Sequence, residues 1–213
     1  MKRFVLLVLV VPQWGLAEQF SDNFDRPDTV AADQEVAPCP LGAQYSVLSG
    51  KWSIADGVLV PEGKMNKSLI LTSPEMKAGP FTAAVDFFLD NPESDRGAIG
   101  FNLYYQDSRT GCMARLRGNK SVFKFQTGFS NGSSNVKVSP EEGTLEPQTW
   151  YRLTVRHLPE VGFEYSVAKR EMPDQPLMSG TLKARKLPDH GKFGIAVSGD
   201  TRGKFDNLTY QAE

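Results

Sequence analysis

The chain has 213 residues, with 24 Lys and Arg against 25 Asp and Glu, for a formal net charge of −1. So even a balance gives no electrostatic reason to expect nucleic acid or an anionic membrane surface as partner. The length suits one β domain and buries a sizeable core without covalent staples.

The first residues, Met1-Lys2-Arg3, lead into the apolar run Phe4–Val11 and then Gly15-Leu16-Ala17. A basic start, a short apolar segment and small residues ahead of a cut are the marks of a cleavable secretory signal, so residues 1–17 are read as one, cut after Ala17. The apolar run falls well short of the roughly 20 residues that span a bilayer, and no later stretch reads as an anchor. The expectation is a secreted protein, extracellular or periplasmic, with residues 18–213 as a single domain.

Gln19–Asp25 alternates as a strand and is ended by Arg26-Pro27-Asp28; residues 29–43 read as a loop around Cys39. In Tyr45–Val60, Asp56-Gly57 separates two strand-like runs, and both positions tolerate the positive φ of a tight hairpin. Lys67–Thr72 is another short strand. Four runs between Phe81 and Gln126 then alternate with period two: FTAAVDFFLD, GAIGFNLYYQD, GCMARLRG and SVFKFQ. Phe81, Ala83, Val85, Phe87 and Leu89 point to a core, as do Ile99, Phe101, Leu103 and Tyr105. The runs follow one another closely, which predicts a meander within one sheet. Asp86, Asn102, Tyr104, Arg115, Arg117, Lys124 and Gln126 then share its outer surface.

That surface is the candidate binding face, through Asp86, Asn102, Tyr104, Arg115 and Lys124. A sugar site needs planar polar groups for paired hydroxyls and an aromatic ring for the apolar ring face. The same residues also read as a solvated face with cross-strand Asp–Arg pairs. An outward Phe88 is an odd choice for such a face.

Gly128–Ser134 is a turn and Val136–Val138 a short strand. Trp150–His157 turns Tyr151, Leu153 and Val155 inward and Trp150, Arg152, Thr154 and Arg156 outward. Trp150 reads as a cover for the sandwich edge or as a stacking platform, and Trp52 as core. Val161–Ala168, Leu177–Leu182, Lys192–Val197 and Lys204–Tyr210 complete a set of about 14 short strands with no helical period, which means an all-β sandwich or barrel. No fixed-period repeat points to a propeller or solenoid.

Cys39 and Cys112 are read either as one disulfide, favoured in an oxidising compartment, or as two buried thiols. Neither stands at metal-ligand spacing from a second Cys or His. His157 and His190 have no Ser or Cys beside them in a nucleophile setting.

Three segments together resemble the concanavalin A-like lectin/glucanase superfamily, in its laminin-G-like and 3-keto-disaccharide-hydrolase-like branches. They are Phe20-Ser-Asp22-Asn23-Phe24-Asp25-Arg26-Pro27, then Gly50-Lys-Trp52-Ser-Ile54-Ala-Asp56-Gly57, and finally Gly191-Lys-Phe-Gly194-Ile-Ala-Val with Phe205-Asp206-Asn207-Leu208. The resemblance implies an all-β jelly-roll sandwich of two curved antiparallel sheets, often with carbohydrate in the concave one, and pairing of the two chain ends. It also implies a structural calcium on the convex side, carried by Asp206 with Asp22 as helper; a hard cation suits such oxygen ligands. The alternative is that Asp206 bonds across the strand pair.

The laminarinase-type Glu-x-Asp-x-x-Glu strand is absent. Glu62, Glu75, Glu93, Glu141, Glu142 and Glu160 fall in predicted turns, and Glu164 lacks a second carboxylate at strand spacing. Retaining glycosidase chemistry needs such a pair, so no catalytic residue is assigned. The leading reading is an exported carbohydrate-binding, lectin-like module whose partner is an oligo- or polysaccharide. A glycoside hydrolase or lyase of the 3-keto-disaccharide type and a structural or adhesive surface protein are the alternatives.

Overall fold

The computed structural model describes residues 18–32, 39–62, 67–90, 98–107, 110–117, 122–127, 135–138, 145–183, 187–198 and 203–213. The leader-like residues 1–17, the predicted turn at 128–134, and Glu93, Glu141 and Glu142 lie outside them.

Sixteen strands and no helix make up the regular structure of the described residues. In chain order they are β1 (Gln19–Asp22), β2 (Thr29–Ala31), β3 (Tyr45–Ser49), β4 (Lys51–Ala55), β5 (Val58–Glu62), β6 (Lys67–Lys77), β7 (Phe81–Leu89) and β8 (Ala98–Tyr105). There follow β9 (Cys112–Arg117), β10 (Val122–Thr127), β11 (Asn135–Val138), β12 (Thr149–Leu158), β13 (Gly162–Lys169), β14 (Pro176–Leu182), β15 (His190–Ser198) and β16 (Gly203–Ala212). The β4–β5 hairpin turns on Asp56 at φ 53° and Gly57 at φ 71°, the doubly left-handed turn that Asp-Gly favours.

All strand pairs are antiparallel and fall into two sheets. The larger runs β14-β13-β12-β7-β16-β5-β4-β2, with β1 also on β16; the smaller runs β11-β10-β9-β8-β15-β6-β3. This is the expected jelly-roll sandwich. The two ends of the described chain pair as β1 on β16, Gln19 opposite Gln211 and Asp22 opposite Leu208.

One expectation fails. The four runs from Phe81 to Gln126 do not form one meander: β8, β9 and β10 are consecutive in the smaller sheet, but β7 lies in the larger one between β12 and β16. The chain crosses from sheet to sheet between Leu89 and Ala98. Period-two alternation reports which side chains face a core, and a strand in either sheet faces the same core. It is silent on which strand comes next.

The core between the sheets is apolar and rich in aromatics. Phe81, from β7, meets Tyr104, His157, Phe163 and Tyr210 at ring-centroid distances of 5.6–6.2 Å. Trp52 is fully buried beside Phe205, as expected of a core residue, and its indole N–H donates to the Ser49 carbonyl at 3.1 Å. Cys39 and Cys112 are both buried and no disulfide joins them. Cys112 faces the core from the first position of β9, and burial pushes its thiol up to about 12. Of the two readings of this pair, two buried thiols is the one found.

Candidate functional site

The alternation that buries one side of β7 and β12 presents the other on the outer face of the larger sheet, and the strand register turns these residues into a grid. Across β16, β7 and β12, Lys204 stands opposite Phe88 and Phe88 opposite Trp150; one step along, Asp206 stands opposite Asp86 and Asp86 opposite Arg152. Next come Thr209, Ala84 and Thr154, with Ser166 of β13 and Ser179 of β14 continuing the row. The last row runs Gln211, Thr82, Arg156, Glu164 and Thr181. Large side chains therefore bound both ends of a middle strip of small ones. On β12, β13 and β14 that strip widens into a groove of about 420 Å³ lined by Thr154, Arg156, Glu164, Tyr165, Ser166, Ser179, Gly180 and Thr181.

Asp86 is the hub of the neighbouring row, opposite Arg152. Only 2% exposed, it accepts from Arg152 Nη1 at 2.8 Å on Oδ1 and from Asn207 Nδ2 at 2.8 Å on Oδ2, while Arg170 Nε lies 3.2 Å from Oδ2. Arg170 reaches across to donate from Nη2 to Asp206 Oδ2 at 2.8 Å. Asn207 adopts φ 48° where the β16–β7 register slips, so Asp206 and Asn207 both serve this side of the sheet. Such a bulge re-aims a side chain, here an amide onto a buried carboxylate. Arg170 also lies over the Trp150 ring, 5.0 Å from its centroid, and Trp150 packs against Phe88 at 5.4 Å. Each buried carboxylate is thus matched by guanidinium groups, the condition under which burying charge is tolerated. Among the groups open to solvent are a half-buried indole, two half-exposed guanidinium groups, the Lys204 ammonium and a row of hydroxyls.

The residues singled out in the sequence end in different places. Asp86 holds the centre of this face. Asn102 and Arg115 share the outer face of the smaller sheet by register, Asn102 opposite Met113 and Gly100 opposite Arg115, and Lys124 of β10 is the register partner of Arg115. Asn102 is buried there; it donates to the Ile195 carbonyl at 3.4 Å, and its amide oxygen has no partner among the described residues. Tyr104 is on neither outer face: at φ 52° it interrupts the alternation of β8 and turns into the core, fully buried. The single binding face of Asp86, Asn102, Tyr104, Arg115 and Lys124 is therefore corrected to two opposed faces and a core tyrosine.

Asp22 and Asp206 do not fit the calcium expected of them. The Asp22 carboxylate is clasped by Arg26 through two 2.8 Å bonds and accepts from Tyr45 Oη and the Phe24 amide at 2.7 Å each. Asp206 is taken by Arg170 and the Asn207 amide. A guanidinium occupies the place of a cation in both. No cluster of three or more His, Cys, Asp or Glu able to hold a metal occurs among the described residues.

Arg152, Arg170, Asn207 and Lys204 were missed as members of a site. Arg152 and Trp150 are visibly outward in the sequence, and the absent signal is the neighbour: nothing local says that β12 lies beside β7.

No family model matches this sequence, and no curated protein does either. Solved structures do match the fold. The carbohydrate-binding module CBM66 from Bacillus subtilis superposes with TM-score 0.60 at 17% identity, over 79% of this chain and 96% of that one. The CBM2 module of the evolved Dit protein of Lactobacillus casei BL23 phage J-1 gives 0.59 at 13% identity, over 92% and 97%. The exoplasmic/lumenal domain of VIP36, in a form bound to Ca2+ and Man2, gives 0.60 at 10% identity, over 87% of each chain. The two-sheet sandwich fold is shared with these structures.

Proposed function

We propose that this protein is a carbohydrate-binding, lectin-like module that seats a glycan on the outer face of its larger sheet. The observation that carries the reading is the juxtaposition of the Trp150 ring, the Arg152 and Arg170 guanidinium groups and the hydroxyl-lined groove on one sheet surface. An aromatic ring takes the apolar face of a pyranose, and planar polar groups with hydroxyls orient its OH groups. Likeness of fold to carbohydrate-binding modules and to a Man2-bound exoplasmic/lumenal domain supports it. Asp86 serves as a positioning residue here, because its oxygens are spent on holding both arginines.

Export rests on the leader-like residues 1–17; among the described residues no helix is long and apolar enough to cross a membrane. Calcium has no part in this reading, since arginines hold both carboxylates proposed for it.

A glycan array and polysaccharide pull-down on the wild type and Trp150→Ala, with released sugar assayed in the same tubes, tests the proposal. Saturable binding without release, weakened roughly tenfold or more in a Trp150→Ala protein of unchanged circular dichroism, is expected, since a lost stacking contact of about 1.4 kcal/mol is tenfold in affinity. Absence of binding to every glycan sinks it. Released sugar promotes the hydrolase or lyase alternative instead.

A further inference from the structure

Resting on that reading, we infer that the Trp150 end of the face selects a sugar bearing an oxyanion, either carboxylate or sulfate. The argument is one of hydrogen-bond supply. The negative groups lie at the level of the sheet with their oxygens turned to arginine, the Asp86 and Asp206 side chains being 3% and 12% exposed. The positive groups stand above them, with Arg152 and Arg170 side chains 29% and 38% exposed.

A guanidinium carries five N–H donors. Among the described residues Arg152 directs one hydrogen bond, to Asp86, and Arg170 spends Nε and Nη2 on Asp86 and Asp206. Both keep donors for a ligand. Exposed Lys204 adds an ammonium 5.8 Å from the Phe88 centroid and has no ion pair among the described residues. A neutral hydroxyl asks for a donor and an acceptor together, and the carboxylate acceptors at this end are already turned to Arg152, Arg170 and Asn207. A carboxylate or sulfate takes donors alone, and a guanidinium fork binds two oxygens of either anion in two-pronged fashion. The ring of the same sugar then lies towards Trp150, and the next one towards the hydroxyls of Thr154, Ser166 and Ser179.

Isothermal titration of the full chain with polygalacturonate, dextran sulfate and neutral dextran, at low salt and at about 0.5 M NaCl, tests the inference against screening. At low salt at least one charged polymer is expected to bind about tenfold tighter than dextran, through charge-assisted hydrogen bonds, and the polymer preferred names the oxyanion. That advantage should shrink at high salt. Lys204→Gln and Arg152→Gln should each weaken charged-polymer binding roughly three- to tenfold. Lys204 is exposed, so its variant stays informative should Arg152→Gln unfold. Dextran bound as tightly as the charged polymers, or indifference of a folded Lys204→Gln and a folded Arg152→Gln, overturns the inference. Neutral-glycan binding that still depends on Trp150 would overturn it while leaving the carbohydrate reading intact; no glycan binding of any kind overturns both.

Discussion

Protonation of Asp22 weakens the acceptor that ties β1 to the turn that follows it and to Tyr45 of β3. Burial by itself raises this carboxyl, but the Arg26 clasp, the Tyr45 hydroxyl and the Phe24 amide outweigh burial and hold it below the usual carboxylate range. A group lowered in the folded state stabilises fully above its unfolded value of about 3.9, and that contribution is lost as pH falls through the lower folded value. Urea midpoints measured from about pH 7 down to about pH 2 should therefore fall in the acid limb, and Asp22→Asn, weaker at neutral pH, should show a flatter limb. A parallel acid limb in the variant would show that Asp22 is not the linked group. The Phe-Ser-Asp-Asn-Phe segment was legible as a strand end, yet the use of Asp22 was not, because its partner Tyr45 lies 23 positions on. Tyr104 was misread for a different reason. A left-handed φ at a tyrosine has no local signature, so strict alternation sent outward a ring that the backbone turns inward, where burial raises its hydroxyl well above the ordinary value.

Two glycines separate what an element tolerates at a turn from what it tolerates inside a sheet. Gly57 closes the β4–β5 hairpin at φ 71°, and a Cβ built on it meets nothing within 4 Å. Gly57→Ala should cost only the left-handed backbone penalty, about 1–2 kcal/mol. Gly100 sits within β8, where a Cβ would land on the Ala114 carbonyl oxygen and 2.5 Å from the Arg115 Cα. Those are backbone atoms of the neighbouring strand and cannot rotate away, so Gly100→Ala should cost about 3 kcal/mol or more. Denaturant midpoints decide it, and equal losses at the two sites would show that β8 and β9 are not packed this closely. The hairpin was plain in the sequence because Asp-Gly between strand runs encodes a turn type. The constraint at Gly100 was hidden, since it belongs to a pairing partner rather than to the strand. The outward set Trp150, Arg152, Thr154 and Arg156 was equally plain; its value became visible only with β7 and β13 on either side.

At the scale of the molecule the all-β class, the two-sheet sandwich and the pairing of the described chain ends were all legible, since alternation, turn residues and the three resemblance segments speak to each. Strand order was not. A sandwich fills one core from two sheets, so Phe87 of β7 and Phe101 of β8 look alike in sequence although they approach the core from opposite sides. That ambiguity placed Asp86 beside Asn102, when its neighbours across the sheet are Arg152 and Asp206. The disposition of the tryptophans has a consequence for optical spectroscopy. Among the described residues there are two, Trp52 sealed in the core and Trp150 half-buried on the proposed binding face. Trp52 emission reports whether the sandwich is intact and is blind to the surface. Trp150 emission should shift to the blue as a sugar ring displaces water from the indole, and Trp150→Phe should abolish that change while leaving the core signal in place. A titration whose shift survives in Trp150→Phe would put the ligand elsewhere. The protein thus carries a label-free reporter at its proposed site and an internal control for folding within the same spectrum.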